Sequence, residues 1–161
     1  MRMPTPGDFQ RAYGDNAGLP WCARGLDDDG RDFDLYVPGE NEWPNEAPDA
    51  PSVALAGRLL SDLDELRGEA AAYVLSIVDV SRRPLFGEPE LVCLSCDAGR
   101  KRVIVEVNWE SMPDALWYVE LHLHPTLGRR PSGMGVTAWG PRDSPWPPEH
   151  VRLELPRLRP P

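Results

Sequence analysis

The spacing of apolar residues changes near residue 80, and this change most constrains the fold. Before it, apolar side chains recur every three or four residues, a spacing that predicts an amphipathic helix. The members of this stripe are Leu55, Leu59, Leu63, Leu66, Ala70, Tyr73 or Val74, and Ile77. After residue 80, apolar and polar residues alternate, which predicts strands. One helix followed by a series of strands predicts an α+β fold.

The ends of the helix can also be read from the sequence. Asp49 and Ser52 are candidate caps and Pro51 suits a first helical turn, so the helix is expected to begin there. The run 82–84, Arg-Arg-Pro, is expected to end the helical region. Gly68 lies inside the stripe and can bend the helix or divide it in two.

The strands surround this helix in the sequence. The segments predicted as strands are 21–23, 32–37, 91–96, 102–109, 115–124, 133–139 and 150–155. Gly99, Pro113-Asp114 and Gly128 are predicted turns, and such short connections favour antiparallel pairing. We therefore expect a mainly antiparallel sheet with one long helix packed on its apolar face. Residues 1–161 are expected to form a single domain, with a turn-rich segment at 1–20 and a proline-rich tail at 141–161.

The charge of the chain limits its partners. It has 161 residues and a net charge of −9, with 26 acidic and 17 basic side chains. Such a surface repels a phosphate backbone, so no nucleic-acid partner is expected, and a basic protein is favoured. The chain has no apolar run of about 18 residues and no apolar leader, so no membrane association is expected. An odd count of three cysteines favours a reducing, cytoplasmic location.

The hairpin formed by 103–110 and 115–124 is predicted to have one apolar and one polar face. Alternation places Val103, Val105, Val107 and Trp109 toward the core. The polar face gathers Glu106, Asn108, Glu110, Tyr118, Glu120, His122 and His124. Because this hairpin is the most sharply alternating part of the sequence, its polar face is the leading candidate for a functional surface.

The sequence contains none of the common catalytic motifs that would indicate an enzyme class. The chain has no P-loop, no dinucleotide-binding glycine motif and no nucleophile elbow, and no cofactor is predicted. One alternative remains open: His122 and His124 project to the same side of a strand and, with Glu106, could hold zinc or iron in a small metal-dependent enzyme. Cys93 and Cys96 lie on a predicted strand, which places the two thiols on opposite faces and argues against a shared metal site.

Two tryptophans suggest a protein interface instead. Trp43 and Trp146 stand beside prolines that would hold them in fixed orientations, and rigid aromatic side chains are common interface anchors. The candidate partner-binding residues are Trp43, Glu106, Glu110, Tyr118, Glu120 and Trp146.

Three segments of the chain have a familiar pattern: Leu91-Val92-Cys93-Leu94-Ser95-Cys96-Asp97, Val103-Ile104-Val105-Glu106-Val107-Asn108-Trp109-Glu110 and Ala115-Leu116-Trp117-Tyr118-Val119. Together they resemble small bacterial proteins of uncharacterised function, often of the immunity type, which are encoded beside polymorphic or secreted toxins. The resemblance extends from the helix to the strand at Trp117 and carries over no site residues. The resemblance implies a cytosolic, non-enzymatic protein that neutralises a partner toxin by binding and occluding it. The net acidic charge of the chain makes a basic toxin domain the expected partner.

Overall fold

The computed structural model describes residues 3–11, 21–27, 29–40 and 47–138. Trp43, Trp146, the end of the strand predicted at 133–139, the strand predicted at 150–155 and the tail at 141–161 lie outside the described residues. Part of the turn-rich segment at 1–20 also lies outside them. No helix in the described ranges is long and apolar enough to cross a membrane.

The described strands form one sheet whose order follows the chain. They are β1 (Gln10–Arg11), β2 (Trp21–Leu26), β3 (Asp32–Val37), β4 (Pro89–Asp97), β5 (Arg102–Trp109), β6 (Met112–His124) and β7 (Gly128–Ala138). Every neighbouring pair is antiparallel except β3 and β4, which are parallel. The prediction of an α+β fold with a mainly antiparallel sheet is therefore confirmed. The parallel pair was not predicted.

The helical segment connects β3 to β4 and begins where the sequence predicted. It consists of α1 (Ala50–Leu59), a 3-10 turn (Leu60–Asp62) and α2 (Leu63–Ser76). The carboxylate of Asp49 caps α1 by accepting from the backbone N–H of Ser52 at 2.9 Å and from its hydroxyl at 2.6 Å. The Ser52 hydroxyl in turn accepts from the Ala98 N–H at 3.0 Å, which attaches the start of the helix to the β4–β5 turn.

The helix is interrupted at a different place from the predicted one. Gly68 lies within α2 and is exposed, and a side chain at this position would meet no other atom within 4 Å. The break falls instead at the 3-10 turn Leu60–Asp62, where Leu59 and Leu63 on either side are both buried. The turn therefore adjusts the direction of the segment while keeping its apolar stripe against the sheet.

The core lies between the helical segment and one face of the sheet. The predicted core side of β5 is confirmed, because Val103, Val105, Val107 and Trp109 are all fully buried. Trp109 packs edge-to-face against Phe86, with ring centroids 5.3 Å apart, and against Trp117, at 6.4 Å. These three rings fill the end of the core where β5 turns into β6.

Two arginines attach α2 to the rest of the fold. Arg129 on β7 is mostly buried, and its guanidinium lies 2.9 Å from Glu69, 3.0 Å from Glu65 and 3.6 Å from Asp62. The hydrogen bond to Glu69 is the main reason that the pKa of Arg129 is raised, with burial acting in the opposite direction. Arg67 joins α2 to the β2–β3 turn, with its closest contact to Asp64 at 2.6 Å and longer ones to Asp27 and Asp29.

The predicted turn at Pro113-Asp114 is wrong. The hairpin turns at Glu110 and Ser111, and β6 already begins at Met112. A register shift between Val107 and Trp109 leaves Pro113 without a ladder partner on β5, so its missing N–H costs no strand hydrogen bond. The amide of Asn108 spans this irregularity by donating to the Pro113 carbonyl at 3.4 Å.

The other strands differ from the prediction at their ends. β2 continues to Leu26, and β7 begins at Gly128, five residues before the predicted start. The early start of β7 includes Pro131, a residue that sheets tolerate in their outer strands. β7 is the last strand in the described order, which explains why a proline is accommodated there.

Candidate functional site

The side of the sheet turned away from α1 and α2 carries the polar hairpin residues, and we call it the open face. Its members on β2 to β6 are Cys22, Arg24, Asp34, Tyr36, Cys93, Ser95, Ile104, Glu106, Tyr118 and Glu120. The pairing register aligns half of them in one row across five strands: Arg24, Asp34, Cys93, Glu106 and Tyr118. Cross-strand neighbours stand about 5 Å apart, so this row brings the side chains of two distant chain segments into contact.

Glu106 is the most unusual member of this row. It is half-buried, and it forms no hydrogen bond or ion pair within the described part of the chain. Burial raises the pKa of its carboxyl, and the nearby charge of Asp34 raises it further. Asp34 contacts Arg24 at 3.7 Å, but Glu106 has no cation of its own among the described residues. A half-buried carboxylate of this kind beside a second acid is typical of a binding or catalytic site.

Cys93 separates these two acids. It pairs with Asp34 on β3 and with Glu106 on β5, and only 3% of it is exposed. Burial strongly raises the pKa of its thiol, and the charge of Glu106 adds to this effect. A thiol held protonated in this way is a poor nucleophile. Cys93 is therefore a small, neutral and buried side chain between Asp34 and Glu106.

Cys96 lies on the other side of the same strand. It is fully buried in the core, where desolvation raises its pKa to about 12. The prediction that Cys93 and Cys96 face opposite sides of the sheet is thus confirmed by their partners, Glu106 on the open face and Val103 in the core. None of the three cysteines forms a disulfide.

Tyr118 forms a partly exposed aromatic surface next to Glu106. Its ring lies across Gly135 on β7 so closely that a side chain at that glycine would overlap the ring. The ring is 40% exposed, which is high for a side chain in the middle of a sheet. Glycine at 135 therefore allows the tyrosine to lie flat, with one side of the ring available for contact.

The charges of the open face are arranged along the strand direction. At the end where β4 begins, acids outnumber bases: Asp32, Asp34, Glu90, Glu106 and Glu110 against Arg24 and Arg31. At the opposite end, bases dominate: Arg100, Lys101, Arg102 and Arg130 against Asp97 and Glu120. Glu120 is held by Arg102 at 3.5 Å and by the Ser132 hydroxyl at 3.2 Å. At the acidic end Asp32 and Asp34 contact Arg24, and Glu90 contacts Arg31. Glu106 and Glu110 are therefore the carboxylates of this end that remain open within the described residues.

The three residues predicted as an alternative metal site are not brought together. His122 is exposed and pairs with Arg102 and Arg130, whereas Glu106 pairs with Tyr118, four residues earlier on β6. Four residues of strand correspond to about 13 Å. The ring Nδ1 of His124 accepts from the backbone N–H groups of Thr126 and Leu127, so this histidine shapes the β6–β7 turn. Among the described residues, no group of three or more His, Cys, Asp and Glu could hold a metal ion.

A depression of about 520 Å³ lies at the acidic end of the sheet, and we call it the edge pocket. It is lined by Arg31, Pro84, Leu85, Phe86, Gly87, Glu88, Glu90, Glu110 and Ser111. Of the residues predicted from the sequence, only Glu110 belongs to it. The turn that contains Glu110 brings this residue to the loop before β4.

Several residues of these surfaces were not predicted. Asp34 could have been found, because Phe33, Leu35 and Val37 alternate with it and mark the core side of β3. Its position beside Glu106 could not, because that depends on the parallel pairing of β3 with β4. The lining of the edge pocket depends on the same pairing, since Arg31 precedes β3 and Glu90 lies on β4.

In comparisons with known proteins, no family model, no curated protein and no solved structure matched the chain.

Proposed function

We propose that the protein is a non-enzymatic binding protein whose open face receives a basic protein partner. The observation that carries this proposal is Glu106, a half-buried carboxylate beside Asp34 that lacks a compensating cation among the described residues. Asp34 already contacts Arg24 at 3.7 Å, so a guanidinium or ammonium group from a partner would supply the cation that Glu106 lacks and lower the cost of burying it.

The surroundings of Glu106 support a protein partner over a small substrate. The residues beside it in the row are the ring of Tyr118, which lies against Gly135, and the thiol of Cys93, whose raised pKa makes it a poor nucleophile. Exposed tyrosine next to an open charge is a common combination at the centre of protein interfaces. The net charge of −9 further favours a basic partner by accelerating encounter.

The specific form of this proposal is an immunity protein. The resemblance to immunity-type proteins supports it, and so does the concentration of open carboxylates at one end of the face, which suits a toxin whose active surface is cationic. Binding of such a surface would occlude it without any chemical step.

Co-expression provides the test. If the gene next to this one in the source genome encodes a toxin domain, that domain would be expressed in a bacterial host with the wild-type protein, and growth would be measured; a neighbouring gene of another kind would count against the immunity form of the proposal. The face variants are Glu106→Gln and Asp34→Asn, which remove charge and keep size. The matched control is Glu40→Gln combined with Asp64→Asn, which removes two exposed carboxylates elsewhere; Asp64 contacts Arg67 within the same helix.

We expect the wild-type and control proteins to restore growth and the combined face variant to restore it at least tenfold less well. Soluble expression and a cooperative unfolding transition of each variant establish that loss of rescue is not loss of folding. If the wild-type protein gives no rescue, or if the face variant rescues as well as the control, the proposal is wrong.

A further inference from the structure

The edge pocket has an apolar wall and an acidic rim. Pro84 and Leu85 form part of the wall, and the Leu85 side chain is 52% exposed. The rim carries the carboxylates of Glu88, Glu90 and Glu110. Apolar and acidic side chains that line the same depression match a long cationic side chain, which has an aliphatic stem and a charged end.

The carboxylates on the rim are not equivalent. Glu90 is occupied, because Arg31 lies 2.8 Å from its oxygen. Glu88 and Glu110 are exposed, and within the described ranges neither makes an ion pair or a side-chain hydrogen bond. Two acids at the rim therefore remain available to a cation from outside, while the Arg31–Glu90 pair fixes one side of the pocket.

The base of the pocket is held in place by the core. Phe86 is 2% exposed and packs edge-to-face on Trp109. Its carbonyl accepts a hydrogen bond from the Ser111 hydroxyl at 3.0 Å, which connects the loop before β4 to the β5–β6 turn. Glu88 lies two residues after Phe86, and Glu110 lies directly before Ser111. The two glutamates are thus on two loops that this hydrogen bond joins. A preformed site of this kind loses little conformational entropy on binding.

From these observations we infer that the edge pocket binds an arginine side chain of the basic protein partner, with the stem against Pro84 and Leu85 and the guanidinium between Glu88 and Glu110. Arginine suits the site better than lysine, because its planar group can serve two carboxylates at once. The volume of about 520 Å³ lies within the range of about 300–1,000 Å³ found for small-molecule pockets, so it leaves ample room for one arginine side chain.

This inference rests on the proposed function and deepens it. It places the anchor of the partner at the acidic end of the sheet, next to the open face. The partner would then contact Glu106 with one cationic group and the edge pocket with another, which fixes its orientation along the strands.

The test uses the full-length, ¹⁵N-labelled protein and a capped hexa-arginine peptide. Hexa-citrulline, which has the same shape without charge, is the matched peptide control. Amide shifts in a ¹H–¹⁵N correlation spectrum locate binding, and the titration gives the Kd. We expect shifts concentrated at residues 85–88 and 110–111 with hexa-arginine, and none with hexa-citrulline.

Three variants separate the pocket from general charge attraction. Glu88→Gln with Glu110→Gln is expected to weaken hexa-arginine binding about tenfold, because both rim charges are lost. The control pair Glu40→Gln with Asp64→Asn changes net charge equally and is expected to change the Kd less than about twofold. Leu85→Ser leaves the charge unchanged and is expected to weaken binding about threefold, since the stem loses apolar contact.

The outcomes distinguish this inference from the proposed function. Equal losses in the two glutamate pairs, shifts spread over the acids of α2, binding of hexa-citrulline, or an unchanged Kd in Leu85→Ser would each overturn the edge pocket as an arginine site. If the Glu88/Glu110 pair still restores growth in the co-expression assay while the Glu106/Asp34 pair does not, the pocket inference fails and the proposed function stands. If neither pair affects rescue, both fail.

Discussion

Arg129 offers a quantitative test of how the helix is held on the sheet. Only 16% of its side chain is exposed, and it contacts Glu69 through both carboxylate oxygens, at 2.9 and 3.0 Å. Replacing it by methionine keeps most of the stem and removes the charge. The variant leaves Asp62, Glu65 and Glu69 on neighbouring turns of the helical segment without their shared cation.

The expected cost lies between two limits. An exposed ion pair contributes about 0.2–1 kcal/mol, whereas removing one partner of a buried pair costs about 3–5 kcal/mol. Arg129 is mostly buried, but its three partners are between 34% and 65% exposed, so we expect a loss of about 2 kcal/mol. For a chain of this size that corresponds to a decrease in Tm of roughly 4–8 °C.

Urea unfolding, followed by tryptophan fluorescence at pH 7, would measure this loss. The matched control is Arg24→Met, because Arg24 is 70% exposed and its nearest carboxylates are 3.7 and 3.9 Å away. We expect the control to lose less than about 0.5 kcal/mol. Equal losses for Arg129→Met and Arg24→Met would refute the reasoning that burial and bidentate geometry set the strength of these contacts.

The pH dependence follows from the sign of the shift. The pKa of Arg129 is higher in the folded protein, so its stabilisation is fully present below the ordinary value and is lost only as pH rises through the raised one. The difference between wild type and Arg129→Met should therefore be constant from pH 7 to 9. A difference that decreases over this range would contradict the assignment.

Two further predictions concern Gly25, Gly68 and Glu106. Gly25→Ala should destabilise the fold by about 1–3 kcal/mol, because a side chain there overlaps the buried ring of Phe33. Gly68→Ala should stabilise the fold by about 0.5–1 kcal/mol, since the position is an open helical site. Urea midpoints that change in the same direction for both variants would show that packing does not decide the effect. Glu106→Gln should raise the urea midpoint of unfolding at pH 7, because burial and the charge of Asp34 disfavour the ionised carboxylate in the folded state. This advantage should decrease as pH falls through the raised folded-state pKa of Glu106. It should be absent below the unfolded-state pKa, where the wild-type carboxyl is neutral in both states. A midpoint that is lower in the variant at pH 7 would mean that Glu106 is already compensated.

The sequence predicted those parts of the fold that depend on local patterns. The cap at Asp49, the buried side of β5 and the opposite orientations of Cys93 and Cys96 all follow from helical or strand periodicity over a few residues. The turn at Pro113-Asp114 was wrong because proline usually marks a turn. Here a register shift removes the need for its N–H, and the shift depends on pairing with β5.

The candidate site was only partly accessible to the same reasoning. Glu106 and Tyr118 were found because they alternate with core residues in one hairpin. Asp34 lies 72 positions before Glu106 in the sequence, and their proximity depends on the parallel alignment of β3 with β4. Periodicity carries no information about which distant strands become neighbours, so the environment that raises the pKa of Glu106 could not be predicted.

The single parallel pairing has a consequence for the order in which the chain assembles. The pairs β2–β3, β4–β5, β5–β6 and β6–β7 join consecutive strands by short turns, whereas β3 and β4 meet only after the chain has passed through the whole helical segment. Closing that long loop carries an entropy cost that the local hairpins avoid, so the β3–β4 contact should form late in folding. We call this contact the seam, because it joins the strands up to β3 with the strands from β4 onward. Asp34 lies on one side of this seam and Glu106 on the other. A partner that engages both would fasten the seam, and amide hydrogen exchange of β3 and β4 should slow when it binds.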